Sequence, residues 1–262
     1  MIILKALVLG IVEGVTEFLP VSSTGHLILA SAVVDYPEAA RATFEIFIQL
    51  GAILAVVWHF RTHLIDLVAR AAAESSAREL IGKVLLAFVP AAAVGFLFHH
   101  AIEEHLFSPP FVAATLIIGG VIIIVVERRA WRFTAHAIEE TTWTQAGWVG
   151  LAQILSLLPG VSRAGATIIG GMFAGLDRPA STQFSFYLSI PTLFAASLFS
   201  LFKARHDLHA SDAMPLAVGF IVSFIAALIV VRAFITFVQR NRFTAFGYYR
   251  IAIGLLVLAL LR

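Results

Sequence analysis

Six stretches of this 262-residue chain, at about 43–60, 84–102, 111–127, 182–202, 214–238 and 246–261, are apolar over nearly the whole length of a membrane-crossing helix. Such a helix needs roughly 20 residues or slightly fewer. In lipid only a segment that satisfies its own backbone polar groups survives, so helices are the expected form. Soluble domains carry about a quarter charged residues. This chain is 13% charged and 60% hydrophobic, with a mean hydropathy of +0.94. It reads as one all-α integral-membrane domain. The net charge of +2 is too small to argue for nucleic acid as a partner. With no cysteine there is no disulfide, thiolate metal site or cysteine nucleophile. The apolar run 1–12 has one lysine and no small-residue cleavage site, and it leads straight into Glu13 and Glu17. It is expected to stay on the chain rather than be cut as a signal peptide.

Two further apolar regions, about 2–34 and 146–175, are broken near the middle by Pro20 and by Pro159-Gly160. Each half is too short to cross, so each region reads as a re-entrant helical hairpin, tolerated at depth only where protein or a watery cavity surrounds it. The order is hairpin, three spans, hairpin, three spans. An offset of 140 aligns Ser22 with Ser162, Gly25 with Gly165, Phe44 with Phe184 and Gly51 with Pro191. Three spans per half force opposite orientations, so an inverted repeat is expected, with halves of about 1–128 and 145–262.

Loop charge orients the repeat. Placing the 61–83 loop, the 128–145 loop, Arg178 and the 239–245 loop inside gives ten cytoplasmic cations: Arg61, Arg70, Arg78, Lys83, Arg128, Arg129, Arg132, Arg178, Arg240 and Arg242. Outside are Lys5, Arg41, Lys203, Arg205 and Arg262, while Arg163, Arg232 and Arg250 lie at or near membrane depth. The bias puts both termini outside. The histidine-rich turn from His99 to His105, with Glu103 and Glu104, then faces outward, and surface solvation suits it better than metal binding.

The interruptions carry the chemistry. Ionisable groups at membrane depth are costly and point to function. Glu13 and Glu17 share one helix face. Ser22, Ser23 and Thr24 can cap the next half-helix, whose N-terminus is an anion site. Gly25 allows a ligand close, and His26 can exchange a proton near neutral pH. Hydroxyl, carboxylates and imidazole together are the parts of an activated nucleophile. The second hairpin repeats the helix start with Ser162, Gly165 and Thr167, but brings Arg163, whose planar fork matches phosphate oxygens. If the tips meet, one site forms that suits phosphoryl transfer. Glu45, Gln49 and Gln153, with Ser185 and Ser189 as half-two counterparts of the first two, are expected to support that site. Plainer readings stand beside these: Ser22 and Ser162 as caps, His26 as a packing residue, Arg163 as a clamp on Glu17.

Glu13-x-x-x-Glu17, Pro20-Val-Ser22-Ser23-Thr24-Gly25-His26 and Pro159-Gly160-Val-Ser162-Arg163-x-Gly165-Ala-Thr167 resemble the signatures of the bacterial undecaprenyl-diphosphatase family, also called undecaprenyl pyrophosphate phosphatases or bacitracin-resistance proteins. The resemblance covers the whole chain, including the stretch from Phe44-Glu45 to Gln49-Leu50-Gly51. It implies six spanning helices plus two inverted re-entrant hairpins. It also implies hydrolysis of a C55 polyprenyl diphosphate to the monophosphate and phosphate, at a site facing the periplasm of the bacterial inner membrane. By resemblance Ser23 matches the nucleophile, Glu17 and His26 its acid–base or metal-linked partners, and Glu13 the first acid of the pair. Arg163, Ser162 and Thr167 match the phosphate-binding set. A divalent cation, Mg²⁺ or Ca²⁺, on Glu13 and Glu17 is implied too, as are bacitracin acting by sequestering the substrate and a homodimer as an open option. Ala164 stands where many members carry a second serine, so no role of that hydroxyl transfers. From the residues alone, a transporter or flippase of phosphorylated lipid stays open. So does the choice between Ser23 and water as the attacking group.

Overall fold

The computed structural model describes residues 1–204 and 212–260, apart from the side chains of Ala39, Glu103 and Ala204. Arg205 and Arg262, and the side chain of Glu103, therefore lie outside the described residues. The elements are α1 (Ile2–Thr16), α2 (Ser23–Val34), α3 (Glu38–His59), α4 (Arg61–Ala71), α5 (Ser75–Leu106), α6 (Pro109–Arg128), α7 (Trp143–Ile154), α8 (Arg163–Ala174), α9 (Arg178–Ala204), α10 (Ala213–Val238) and α11 (Thr244–Leu260). Among the described residues, α3, α5, α6, α9 and α10 are long and apolar enough to cross a membrane. The sixth expected span appears as α11, apolar but 17 residues long.

Both interrupted regions are broken where expected. The chain leaves α1 after Thr16 and starts α2 at Ser23; it leaves α7 after Ile154 and starts α8 at Arg163. Two expectations are corrected. The 61–83 segment is helical rather than a loop, because it is amphipathic. Leu64 and Leu67 pack inward, Ile65 and Val68 are exposed, and Arg70 pairs with Asp66 and Glu74 at 2.9 and 3.1 Å. The 99–105 turn is the end of α5, since nothing between Pro90 and Ser108 stops a helix and the next proline pair opens α6.

Helix partners come in matched sets. α1 packs on α10 as α7 packs on α5, α2 touches α11 as α8 touches α6, and α3 meets α9 while α6 meets α11. Small residues make these contacts close, as lipid-embedded helices require. Gly10 lies on Gly219, and Gly14 on Ser223 and Ala227, while Gly150 lies on Ala87. Gly25 lies on Leu116, and Gly165 on Arg250. Gly10 and Gly150, like Gly25 and Gly165, stand 140 apart, whereas the residues they meet stand 132 apart for Ala87 and Gly219 and 134 apart for Leu116 and Arg250. The Gly14 contact gives a direct prediction. A Cβ there would stand 2.5 Å from the Ser223 carbonyl oxygen and 2.7 Å from the Ala226 Cβ. Gly14→Ala should destabilise by about 1–3 kcal/mol, read as a lower unfolding temperature in detergent. An unchanged temperature would refute the close packing of α1 on α10.

One end of the bundle gathers the segments whose cations were grouped together. Thr134 N donates to Gly175 O at 2.7 Å and Asp177 N to Ala135 O at 2.9 Å. Leu67, Ala135, Ile138 and Leu176 share one apolar cluster with Phe60 and Leu64. The buried Glu127 takes both prongs of Arg178 at 2.8 and 2.6 Å and the Phe243 N–H at 3.0 Å, joining the starts of α9 and α11 to the end of α6. At the opposite end Lys5 is bonded to Asp35.

Candidate active site

The residue after each break has an unusual backbone. Ser22 and Ser162 sit at helix N-caps with φ of 71° and 75°. Such values are uncommon outside glycine and cost about 1–3 kcal/mol each, a form of strain that clusters at functional sites. The Ser162 hydroxyl caps α8 by accepting from Gly165 N at 3.0 Å. The Ser22 hydroxyl makes no cap bond, so the first N–H groups of α2 carry no side-chain cap. Between the second break and α8, Gly160 has a φ of 88°, and a Cβ there would meet the Val112 carbonyl at 2.7 Å. Only glycine fits that turn.

The tips meet. Glu17, at the end of α1, accepts from the Ser23 hydroxyl at 2.6 Å through Oε2 and from Arg163 Nη2 at 3.2 Å through Oε1. Arg163 and Glu17 side chains are 7% and 6% exposed, so the pair is shielded from screening. Arg163 Nη1 donates to the Ser185 carbonyl and hydroxyl at 3.2 and 3.4 Å, and its guanidinium lies 5.5 Å above the Phe18 ring. The Thr167 and Ser185 hydroxyls bond each other at 2.6 Å. Among the described residues, Arg163 Nε and Glu13 Oε2 are buried with no hydrogen-bond partner. Buried polar atoms are rarely left so. The two tips thus each carry one spare buried polar atom, an acceptor on Glu13 and a donor on Arg163.

The remaining expected residues fall into three groups. His26 lies one turn past Ser23 but turns to Ser22 O at 2.7 Å and to the Tyr249 hydroxyl at 2.8 Å. A carbonyl only accepts, so in the neutral ring Nδ1 carries the proton and Nε2 accepts from Tyr249. Thr24 is half-buried beside Ser23 in the first turn of α2. Gly25 does not leave a gap for a ligand: a Cβ there would meet Leu116 Cδ1 at 2.8 Å, and Gly165 is likewise filled by Arg250 and Ser162. These glycines seat helices against each other.

Among the expected supports, Glu45 pairs with Arg41 at 3.4 Å. Gln49 accepts from Ser197 at 3.1 Å, tying α3 to α9. Gln153 holds Ala87 O at 3.4 Å and Thr192 at 3.1 Å, tying α7 to α5 and α9. These two glutamines brace helices. Ser185, the counterpart of Glu45, is the support that reaches the site.

Arg250 was placed at membrane depth by its sequence but given no task. It is 1% exposed, and all its partners are main-chain carbonyls. Nη1 donates to Pro20 O and Val161 O at 3.1 and 2.9 Å, Nη2 to Gly160 O and Thr115 O at 2.9 and 3.3 Å, and Nε to Leu116 O at 3.3 Å. Pro20 and Gly160 are 140 apart, the equivalent points of the two tips. One guanidinium therefore ties both breaks together behind the two helix starts. An arginine within an otherwise apolar helix was the available signal.

The site thus joins a hydroxyl on a carboxylate, that carboxylate on an arginine, and the N-termini of α2 and α8. The sequence profile described as "Bacitracin resistance protein BacA" matches residues 6–256. Undecaprenyl-diphosphatase 2 of Rhodospirillum rubrum is 50% identical over 258 residues, covering 98% of this chain and 94% of its own. The undecaprenyl-diphosphatase of Cellvibrio japonicus is 50% identical over 260 residues, covering 99% and 95%. That of Aromatoleum aromaticum is 48% identical over 254 residues, covering 97% and 93%. This chain belongs to the BacA family of bacitracin resistance proteins.

Proposed function

We propose that this protein is an integral-membrane phosphatase that hydrolyses undecaprenyl diphosphate to undecaprenyl phosphate and inorganic phosphate. The observation that carries the reading is the Ser23–Glu17–Arg163 chain at 2.6 and 3.2 Å, assembled from two hairpin tips that are far apart in sequence. A carrier has use for the arginine and the helix starts but none for a hydroxyl held on a carboxylate. Removing undecaprenyl diphosphate, which bacitracin sequesters, accounts for resistance.

In this reading the terminal phosphoryl group lies against Arg163 and the uncapped N–H groups at the start of α2, which stabilise its charge as it transfers. Ser23 Oγ attacks the phosphorus, the bond to the bridging oxygen breaks, and undecaprenyl phosphate leaves. The Ser23 proton passes to Glu17. Water then adds to the phosphoserine, Glu17 returns its proton to Oγ, and inorganic phosphate departs. His26, held by Ser22 and Tyr249, lies one turn from Ser23. Ser162, Thr167 and Ser185 hold the arginine end of the cradle.

A divalent cation fits the residues present. The Glu13 carboxylate has a buried oxygen without a partner, one turn from Glu17. Among the described residues no group of three or more His, Asp and Glu gathers into a self-sufficient metal nest. Glu13, with Glu17, would hold Mg²⁺ or Ca²⁺ together with substrate oxygens, the usual arrangement for Mg²⁺. When bound, the ion neutralises charge on the diphosphate.

The same reading places residues 1–128 and 145–262 as inverted halves, each a re-entrant hairpin followed by three spans. The end holding Arg178 and α4 then faces the cytoplasm, and both termini and the site's mouth face the periplasm. Matched helix partners and the clustering of the cationic segments at one end support it. Phosphate release from a polyprenyl diphosphate by purified protein, with and without chelator, tests the function. A protein inactive on every lipid diphosphate would overturn it. Ser23→Ala should lower turnover about a thousandfold or more, and full activity in that variant would move the attack to water.

A further inference from the structure

A cavity of about 890 Å³ lies between the end of α3 and the last turns of α10, away from the hairpin tips. Trp58, His59, Arg61, Ile229, Arg232 and Thr236 line it, and no Asp or Glu does. Arg232 sits on a helix long and apolar enough to span, yet it is exposed. Among the described residues its guanidinium has neither a hydrogen bond nor a carboxylate partner. Arg61 is held by Trp58, donating to its carbonyl at 2.8 Å and lying 4.7 Å over its ring. Arg61 and Arg232 line the same opening together with His59.

The depth and surroundings of Arg232 define the ligand. It lies six residues before Val238, the end of α10, or roughly 9 Å along the axis. A long arginine stem from there reaches the headgroup layer. Deeper on the same helix, Ile221, Ile225 and Ile229 are 53%, 51% and 65% exposed. They stand four residues apart and form one lipid-facing row, while Gly219, Ser223, Ala227 and Val231 are buried on the other side. Two cations above an apolar row match a phosphate with a chain descending from it. A soluble anion has no use for the row, and a zwitterionic lipid brings its own cation against the arginines.

We propose that this cavity binds an anionic glycerophospholipid, its phosphate held by Arg232 and Arg61 and one acyl chain lying along the isoleucine row. Guanidinium groups bond phosphate oxygens in pairs, with charge-assisted strength. The site is separate from the hairpin tips and does not depend on the phosphatase reading.

The test is native mass spectrometry of the detergent-solubilised full chain titrated with phosphatidylglycerol, phosphatidylcholine and inorganic phosphate. Phosphatidylglycerol should be retained in preference to phosphatidylcholine and not be displaced by phosphate. Arg232→Ala should weaken its retention about tenfold or more, with Arg232→Lys between the two and phosphate release from polyprenyl diphosphate unchanged. Equal retention of the two lipids by the natural chain would overturn the proposal, whether or not the variants fold. So would displacement by inorganic phosphate, or full phosphatidylglycerol retention in Arg61→Ala/Arg232→Ala.

Discussion

Arg163→Lys is expected to lower kcat on a polyprenyl diphosphate by about a hundredfold, and Arg163→Ala by about a thousandfold or more. Lysine keeps the charge but loses the planar fork, which here spans Glu17 on one side and Ser185 on the other. Alanine loses the charge as well and strands Glu17. A buried carboxylate stripped of its partner is strongly destabilised, by about 3–5 kcal/mol when a buried pair is broken. The Ser23 hydroxyl would then face a carboxylate no longer held in place by the guanidinium. Steady-state phosphate release, measured beside the unfolding temperature, separates lost chemistry from lost fold. A lysine variant with full kcat would remove the arginine fork from the mechanism.

The second large effect is expected at a residue that touches no substrate. Arg250→Met should reduce kcat about a hundredfold with a much smaller change in KM, because misplacing reacting groups by about 1 Å has that consequence. Its five bonds all end on main-chain carbonyls, and methionine leaves those of Pro20, Gly160 and Val161, which lie outside helices, without this donor. Arg250→Lys, with three donors for five carbonyls, should fall between. A folded Arg250→Met enzyme with unchanged kcat would show that the tips hold their geometry without the tie.

Much of this architecture could be read from the chain because lipid tolerates so few arrangements. Apolar length marked the five helices long enough to span and the shorter α11, and the polar breaks at Pro20 and Pro159-Gly160 marked the gaps between α1 and α2 and between α7 and α8. α4 was missed because an amphipathic segment of 11 residues is neither apolar enough to look like a span nor polar enough to be a loop. In the site, Glu17, Ser23 and Arg163 were legible because charge and hydroxyl at depth have few bland explanations. The direction of His26 was not. It depends on Tyr249, 223 residues away, and no local spacing reports such a partner. Gly25 was read as room for a ligand, whereas Leu116 occupies that room; a glycine's sequence does not say what approaches it. The task of Arg250 was hidden for a related reason, since main-chain carbonyls have no residue type and leave no mark in a sequence.

Gly25 rests on Leu116 as Gly165 rests on Arg250, so a leucine and an arginine fill the same place in the two halves. The arginine does not stay in its own half: it grips the carbonyls of both tips. Between two related tips there is space for one such group, and a second would bring two like charges into contact with no acid between them. A leucine at position 250, like Leu116, would thus leave the two tips without a tie. Unlike residues behind the two helix starts are therefore a condition for the two tips to close around a single site.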